Sequence, residues 1–369
     1  MTNRRCTNQG HPMGFAINGK FASQRITGVQ RVAYELTRAM QSRAASPAEL
    51  PVLVPSNATD LGLAARPTHI GRGLTGNLWE QISLPLEARR DTLISLCNTG
   101  PLFKRRHMLM IHDMAVYDVP HGFSRKFVMW YRLRFSLLRS QANTILTVSG
   151  FSRNRICHHL GVDESRVLVV RPGADHMDRV TSEPSILEKL ALSKDKYCVL
   201  VGSLDPRKNL RRVLAATELL KDLKDFKFVI AGAANARVFA SGESGPGADS
   251  DRVIWAGFVT DGELKALYGS AACLVFASLY EGYGLPPLEA MYCGCPVIVS
   301  SEASLPEVCG DAAMYCDAGS IDDIAAKIRV MATQEDVRMK HRRAGLEHAR
   351  QFKWDGAATR LLEIMQAAR

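Results

Sequence analysis

The apolar positions fall into short runs broken by polar stretches, most regularly in the second half of the chain. The run 197–202 (YCVLVG), closed by glycine, predicts a buried strand. Runs at 226–232 (FKFVIAG), 252–259 (RVIWAGFV), 273–278 (CLVFAS) and 296–301 (PVIVSS) predict four more. Between them, 209–223 (NLRRVLAATELLKDL) and 261–271 (DGELKALYGSA) space their apolar residues as helices do, the second opened by Asp261. Strands alternating with helices predict an α/β fold whose parallel sheet is covered on both faces. The first half reads similarly but less cleanly, with strand candidates at 13–18 (MGFAIN), 91–98 (DTLISLCN), 107–113 (HMLMIHD) and 144–149 (TILTVS). The pattern predicts an N-terminal domain over 1–175 and a C-terminal domain over 176–350. An amphipathic helix in 351–369 is expected to pack back on the N-terminal domain. The stretch SGESGPGADS (241–250) reads as a loop.

Length and composition agree with two domains: 369 residues, 46% of them apolar, can bury two cores. No apolar run reaches the length of a membrane-spanning helix, and the start has no signal-peptide character, so the chain is expected in the cytoplasm. Nine scattered cysteines without a CxxC pair are expected to be reduced, packed thiols; Cys293 and Cys295 flank Gly294 at the wrong spacing for redox chemistry. The net charge of +10 is unevenly placed. Up to Asp175 there are 23 Lys and Arg against 11 Asp and Glu; beyond it there are 24 against 26. This asymmetry points to an anionic partner for the first half: a lipid surface, nucleic acid or a phosphorylated substrate.

Two segments carry candidate chemistry. In YEGYGLPPLEAMYCGCPVIVS (280–300), a strand leads into a glycine- and proline-broken loop and then a helix with proline in its first turn. Glu281 therefore falls at the C-terminal end of a parallel strand, where open α/β sheets bind ligands. Glu289 lies two helical turns on, and a carboxylate can accept from two neighbouring hydroxyls, as on a ribose. Glycine in the loop lets backbone N–H groups approach an anion at a helix start. In VGSLDPRKNL (201–210), a strand ends at Gly202 and the turn into the next helix carries Arg207 and Lys208, a pair suited to a diphosphate. A lone Glu in such a loop is commonly a solvated turn, and a lone His112 at a strand end is commonly a satisfied histidine; the ordered set argues otherwise.

These segments resemble glycosyltransferase family 4. The 280–300 stretch is similar to its E-x7-E segment, GSLDPRKNL to its Arg-Lys turn, and WAGFVTDGELKALYGSA to its base-binding loop and helix. ITGVQRVAYEL (26–36) resembles its N-terminal glycine loop and helix. IHDMAVYDVP, TVSGFSRNRI and VVRPGAD resemble markers of its first domain, and LWEQISLP (78–85) resembles the branch rich in bacterial polysaccharide mannosyltransferases. The resemblance implies a GT-B fold of two Rossmann-like parallel-sheet domains facing a central cleft, and a retaining sugar transfer from a nucleoside diphosphate sugar. It implies that Glu289 holds the ribose hydroxyls and Glu281 the donor sugar. Tyr283, Gly284 and Leu285 would face sugar and phosphate through their backbone. Arg207 and Lys208 would bind the diphosphate, with Gly202 in the donor-binding set and Gly28 near the phosphates. His112, beside Asp113, would touch the donor sugar, and Val259 would face the base. It further implies front-face attack, in which the leaving phosphate takes the acceptor's proton. None of these motif segments carries an Asp-x-Asp pair, so neither a catalytic metal nor another cofactor is expected.

The branch resemblance makes GDP-mannose the expected donor, with UDP-glucose or another UDP-sugar as the alternative, and a polyprenyl-diphosphate-linked glycan of surface or exopolysaccharide synthesis as acceptor. Two rival functions are a nucleotide-sugar epimerase and a non-catalytic glycan-assembly subunit; the joint presence of Glu281, Glu289, Arg207, Lys208 and His112 argues against both. GRGLTG (71–76) fits a dinucleotide fingerprint literally, but the segment before it is a poor strand. In 123–140 (FSRKFVMWYRLRFSLLRS), Phe127, Tyr131, Phe135 and Leu138 form one helical stripe, expected to face the core. Met129, Trp130, Leu133 and Leu137 form a second, beside a basic row of Arg125, Arg132 and Arg139. That second stripe either packs on a neighbouring helix or contacts an anionic inner membrane surface, making the enzyme peripheral on the cytoplasmic membrane. No nucleic-acid-binding motif accompanies the charge.

Overall fold

A computed structural model describes residues 14–71, 73–202, 205–232 and 251–368. Cys6 and the loop expected at 241–250 lie outside the described residues. The described strands form two sheets, and their described pairings are parallel. In chain order the first contains β1 (Phe15–Asn18), β2 (Val52–Val54), β3 (Thr68–His69), β4 (Thr92–Ser95), β5 (His107–Met110), β6 (Thr144–Thr147) and β7 (Val167–Val169). The second contains β8 (Tyr197–Val201), β9 (Lys227–Ala231), β10 (Val253–Gly257), β11 (Cys273–Phe276), β12 (Val297–Ser300) and β13 (Met314–Cys316). The spatial orders are β3-β2-β1-β4-β5-β6-β7 and β10-β9-β8-β11-β12-β13. In the second sheet the chain winds outward from β8 to one edge, then returns to β11 and winds to the other. The crevice between the C-terminal ends of β8 and β11 is thus a topological switch point.

By contact density the chain divides into two compact units. One comprises Met1–Met110, Leu137–Ile145 and Ala358–Arg369; the other comprises Ile111–Ser136 and Leu146–Ala357. The final helix, Trp354–Ala367, begins in the second unit and has most of its length in the first. Within the first unit, Trp79, Leu84, Ala88 and Leu93 pack with Ala16 and Leu53, and the Trp79 indole donates to Ile70 O at 3.0 Å. Within the second, Phe228, Ile230, Val275 and Ile298 of the sheet pack against Val213 and Leu214 of helix Leu210–Glu218 and Ile324 and Ile328 of helix Ile321–Thr333. Such β-branched and aromatic rows suit a strand covered on both faces.

The five strands expected in the second half form, as do the four of the first. β2, β3, β7 and β13, which the hydrophobic pattern did not yield, are two or three residues long, too short to show a period. The helix expected over 209–223 spans only Leu210–Glu218, because Leu219 N–H already bonds back to Ala216 O. Gly71, where GRGLTG begins, follows β3, an exposed edge strand two strands from β1.

Candidate active site

Arg207 and Lys208 lie in a tight turn, Pro206–Lys208, that leaves the C-terminal side of β8. The Asp205 carboxylate caps it by accepting from Arg207 N at 2.9 Å. Asn209 follows in the left-handed region (φ 58°) and its side-chain amide donates to Ala277 O at 3.0 Å and Ala318 O at 2.8 Å. Leu279 N donates to Arg207 O at 2.7 Å. The segments that follow β8, β11 and β13 are thereby joined, and the two sequence motifs meet. Lys208 Nζ bonds Glu281 Oε1 at 2.7 Å, with both side chains largely buried, and sits 5.0 Å from the Phe276 ring centre.

Arg207 is held differently. Its guanidinium binds both Asp205 oxygens and stacks 4.6 Å from the centre of the Phe123 ring. Burial opposes its charge, but the hydrogen bonds it donates to Asp205 and the fields of Asp205, Asp113 and Glu281 outweigh it and move its pKa up. Burial likewise raises the Asp205 carboxyl, and Arg207 more than reverses that, leaving it below the ordinary value. Asp205 stands within the quoted motif, yet the sequence reading gave it no part.

The loop after β11 is built on close backbone approach. A Cβ on Gly282 would lie 2.4 Å from His112 O. Ser149 Oγ donates to Gly282 O at 2.7 Å, and Ser152 Oγ lies 2.8 Å from His112 O and 3.0 Å from Gly282 O. The His112 loop and the Glu281 loop are thus fixed to each other, and His112 is buried. Gly284, at φ 107°, is the N-cap of helix Leu285–Tyr292, a conformation that disfavours a side chain. Tyr283 and Leu285 are buried, Tyr283 Oη donating to Pro172 O at 2.7 Å. Glu289 is buried in that helix and bonds His176 Nε2 through Oε1 at 3.0 Å. Gly202 follows β8 at φ 149°.

Val259 is half-buried just beyond β10, at the sheet's edge and two strands from β8. Gly28 starts helix Gly28–Arg43 in the first unit. The other residues expected at the donor site, His112 through Glu289, lie in the second unit.

Sequence reasoning missed the support beneath this loop. Tyr280 Oη donates to Asp118 Oδ2 at 2.8 Å, and Asp118 also binds Arg155 and His159. Burial pushes the Asp118 carboxyl up, but those three partners hold it down at about 2. His176 also went unread.

Helix Arg125–Gln141 departs from expectation on its inner side. Phe135 and Leu138 are buried, but Phe127 is 40% exposed, and it joins Phe123, Tyr131 and Phe135 in a ladder of ring contacts. Arg132 is turned inward: it donates to Val116 O at 3.1 Å and covers the Tyr117 ring, so the basic row is reduced to the exposed Arg125 and Arg139. Met129, Trp130, Leu133 and Leu137 are exposed by 72, 46, 55 and 41%. The described cysteines are free, five of them buried, and burial raises the Cys293 thiol to about 12.

A doubly wound sheet with paired charges at its switch point defines an α/β ligand-binding protein, and comparison with known proteins narrows the class. Residues 182–348 match the family described as glycosyl transferases group 1. The chain is 31% identical over 285 residues to O-antigen chain mannosyltransferase B of Escherichia coli, covering 71% of this chain and 72% of that protein. It is 27% identical to O-antigen chain mannosyltransferase RfbU of Salmonella typhimurium, over 59% of this chain and 58% of that one. Anabaena HepE, solved in complex with UDP and glucose, matches with TM-score 0.72 at 15% identity over 96% of this chain and 100% of HepE. WaaG, a glycosyltransferase involved in lipopolysaccharide biosynthesis, matches with TM-score 0.71 at 16% identity over 96% and 99%. The chain belongs to the group 1 glycosyl transferases. It is a glycosyltransferase with the GT-B fold.

Proposed function

We propose that this enzyme is a retaining mannosyltransferase that moves mannose from GDP-mannose to a polyprenyl-diphosphate-linked glycan in bacterial polysaccharide assembly. The observation that carries the transferred sugar is the 31% identity, across 72% of its length, to O-antigen chain mannosyltransferase B. In this reading Glu289 binds the ribose hydroxyls, Glu281 the sugar ring, and Arg207 and Lys208 the diphosphate. Val259 and the backbone of Tyr283 to Leu285 complete the donor site within the second unit. The bond from the anomeric carbon to phosphate breaks as the bond to the acceptor oxygen forms on the same face. The acceptor's proton passes to the departing diphosphate. Negative charge grows on that diphosphate, and fixed cations stabilise it more in the transition state than in the bound donor. No step is routed through a metal.

The exposed stripe Met129, Trp130, Leu133 and Leu137, with Arg125 and Arg139 beside it, supports docking on an anionic membrane surface where such an acceptor resides. Among the described residues no helix is long and apolar enough to cross a membrane.

A thermal-shift panel with GDP, UDP, ADP and their sugars tests the donor. GDP and GDP-mannose should raise Tm, by mass action on the folded state, and Glu289→Ala should weaken GDP binding by roughly tenfold or more. A shift with UDP alone would overturn GDP-mannose as donor. Unchanged GDP affinity in Glu289→Ala would overturn the assignment of the ribose site.

A further inference from the structure

We infer that His176 is a positioning residue for Glu289 and that Trp354 sets its tautomer; the inference rests on the reading of Glu289 as the ribose ligand. His176 and Trp354 are each only 2% exposed. The Trp354 indole Nε1 lies 3.1 Å from His176 Nδ1. An indole nitrogen can only donate, so Nδ1 must accept and carries no proton. The ring's proton is therefore on Nε2, which lies 3.0 Å from Glu289 Oε1 and donates to it. Trp354 has little freedom to release this arrangement. Its backbone N–H donates to Asp175 Oδ1 at 2.8 Å, and a Cβ on Gly173 would come within 2.3 Å of its nitrogen. Ala174 N donates to Phe352 O at 3.0 Å, tying the His176 turn to the segment before the indole.

The consequence falls on one oxygen of the carboxylate. Glu289 has three side-chain torsions, and His176 fixes Oε1 with a directed donor. Oε2 makes no hydrogen bond among the described residues, so its lone pairs stay available to a pair of adjacent hydroxyls. A residue that merely filled space here would not determine which oxygen faces the ligand.

The test compares affinity for GDP with that for 2′,3′-dideoxy-GDP, with the matching UDP pair measured alongside. The ratio isolates the part of binding that depends on the ribose hydroxyls. His176→Ala should lower the ratio on the order of tenfold, the scale of a misdirected hydrogen bond to a charged group, by weakening the hydroxylated nucleotide alone. His176→Gln, which can keep a donor near the Nε2 position, should restore most of it. Trp354→Phe keeps the ring but frees the tautomer and should lower the ratio by a few-fold; it decides the matter if His176→Ala does not fold. An unchanged ratio in both His176→Ala and Trp354→Phe, with Glu289→Ala lowering it, overturns the positioning role. An unchanged ratio in Glu289→Ala overturns the ribose reading instead. Equal weakening of both nucleotides in His176→Ala would make its role structural and would also overturn the inference.

Discussion

Gly282 has no room for a methyl group. An added Cβ would lie 2.4 Å from the His112 carbonyl oxygen and 2.9 Å from Asp113 Cβ, and the nearer atom is backbone that cannot rotate away. Gly282→Ala should therefore part the His112 and Glu281 loops and strain the Ser149 and Ser152 hydrogen bonds to Gly282 O. Overpacking of this kind costs about 1–3 kcal/mol. The expected outcome is a lower Tm together with a fall in kcat/KM for sugar transfer, read by melting and by initial rates. Full activity at wild-type Tm would show that the two loops are not fixed to each other in the working enzyme. The residues of this contact also mark how far the sequence could be read. That Lys208 and Glu281 lie at the same edge of one sheet followed from both motifs ending parallel strands, whose C-terminal ends share an edge. That Gly282 touches His112, or that His176 reaches Glu289 from 113 positions away, follows from no periodicity or spacing. Those contacts depend on loop paths, which polar and small residues permit in many forms. Asp205 was legible in principle: an Asp two residues before Arg207, ahead of a proline, is a turn-capping signal.

At the scale of an element, the two stripes of helix Arg125–Gln141 differ in burial. The inner stripe is buried at Phe135 and Leu138, while the outer stripe leaves large apolar side chains in water. Isolated exposed apolar residues are ordinary, but four on one helix face next to arginines suit an interfacial contact. The expected outcome is binding to vesicles containing anionic lipid, a blue shift of Trp130 fluorescence, and loss of both as salt rises. The double substitution Met129→Glu and Leu133→Glu should abolish vesicle binding while leaving nucleotide affinity unchanged, since both side chains are exposed. Absence of co-sedimentation at low salt would remove the membrane contact from the account. The periodicity of this helix was readable, and so were its arginines. The inward turn of Arg132 was not, because it depends on the Val116 carbonyl and the Tyr117 ring, which the helix meets only in the folded chain.

At the scale of the whole molecule, two groups in different units set the response to acid. His107, fully buried at the start of β5, has its pKa lowered to about 4 by burial, against a partial upward pull from Glu80. In the unfolded chain it titrates near 6.5, so between pH 6.5 and 4 the unfolded state binds the extra proton and stability falls as pH falls. A difference of that size corresponds to ~3 kcal/mol once the whole window is crossed. Asp118 acts lower down: its folded pKa of about 2 lies below its ordinary 3.8, so its stabilisation is present above pH 3.8 and is lost as pH falls towards 2. Both effects have the same sign and occupy successive windows. The positive charge concentrated before Asp175 adds self-repulsion as carboxylates are neutralised. Denaturant midpoints measured from neutral pH downward should therefore fall in two stages. His107→Gln should flatten the first stage and leave the second, while Asp118→Asn should lower stability at neutral pH and flatten the second. If His107→Gln keeps the full slope between pH 6.5 and 4, a neutral buried imidazole is not what makes the protein acid-labile. The first stage would then have to come from the titration of several weakly shifted groups, and it would spread over a wider range of pH than one histidine can produce.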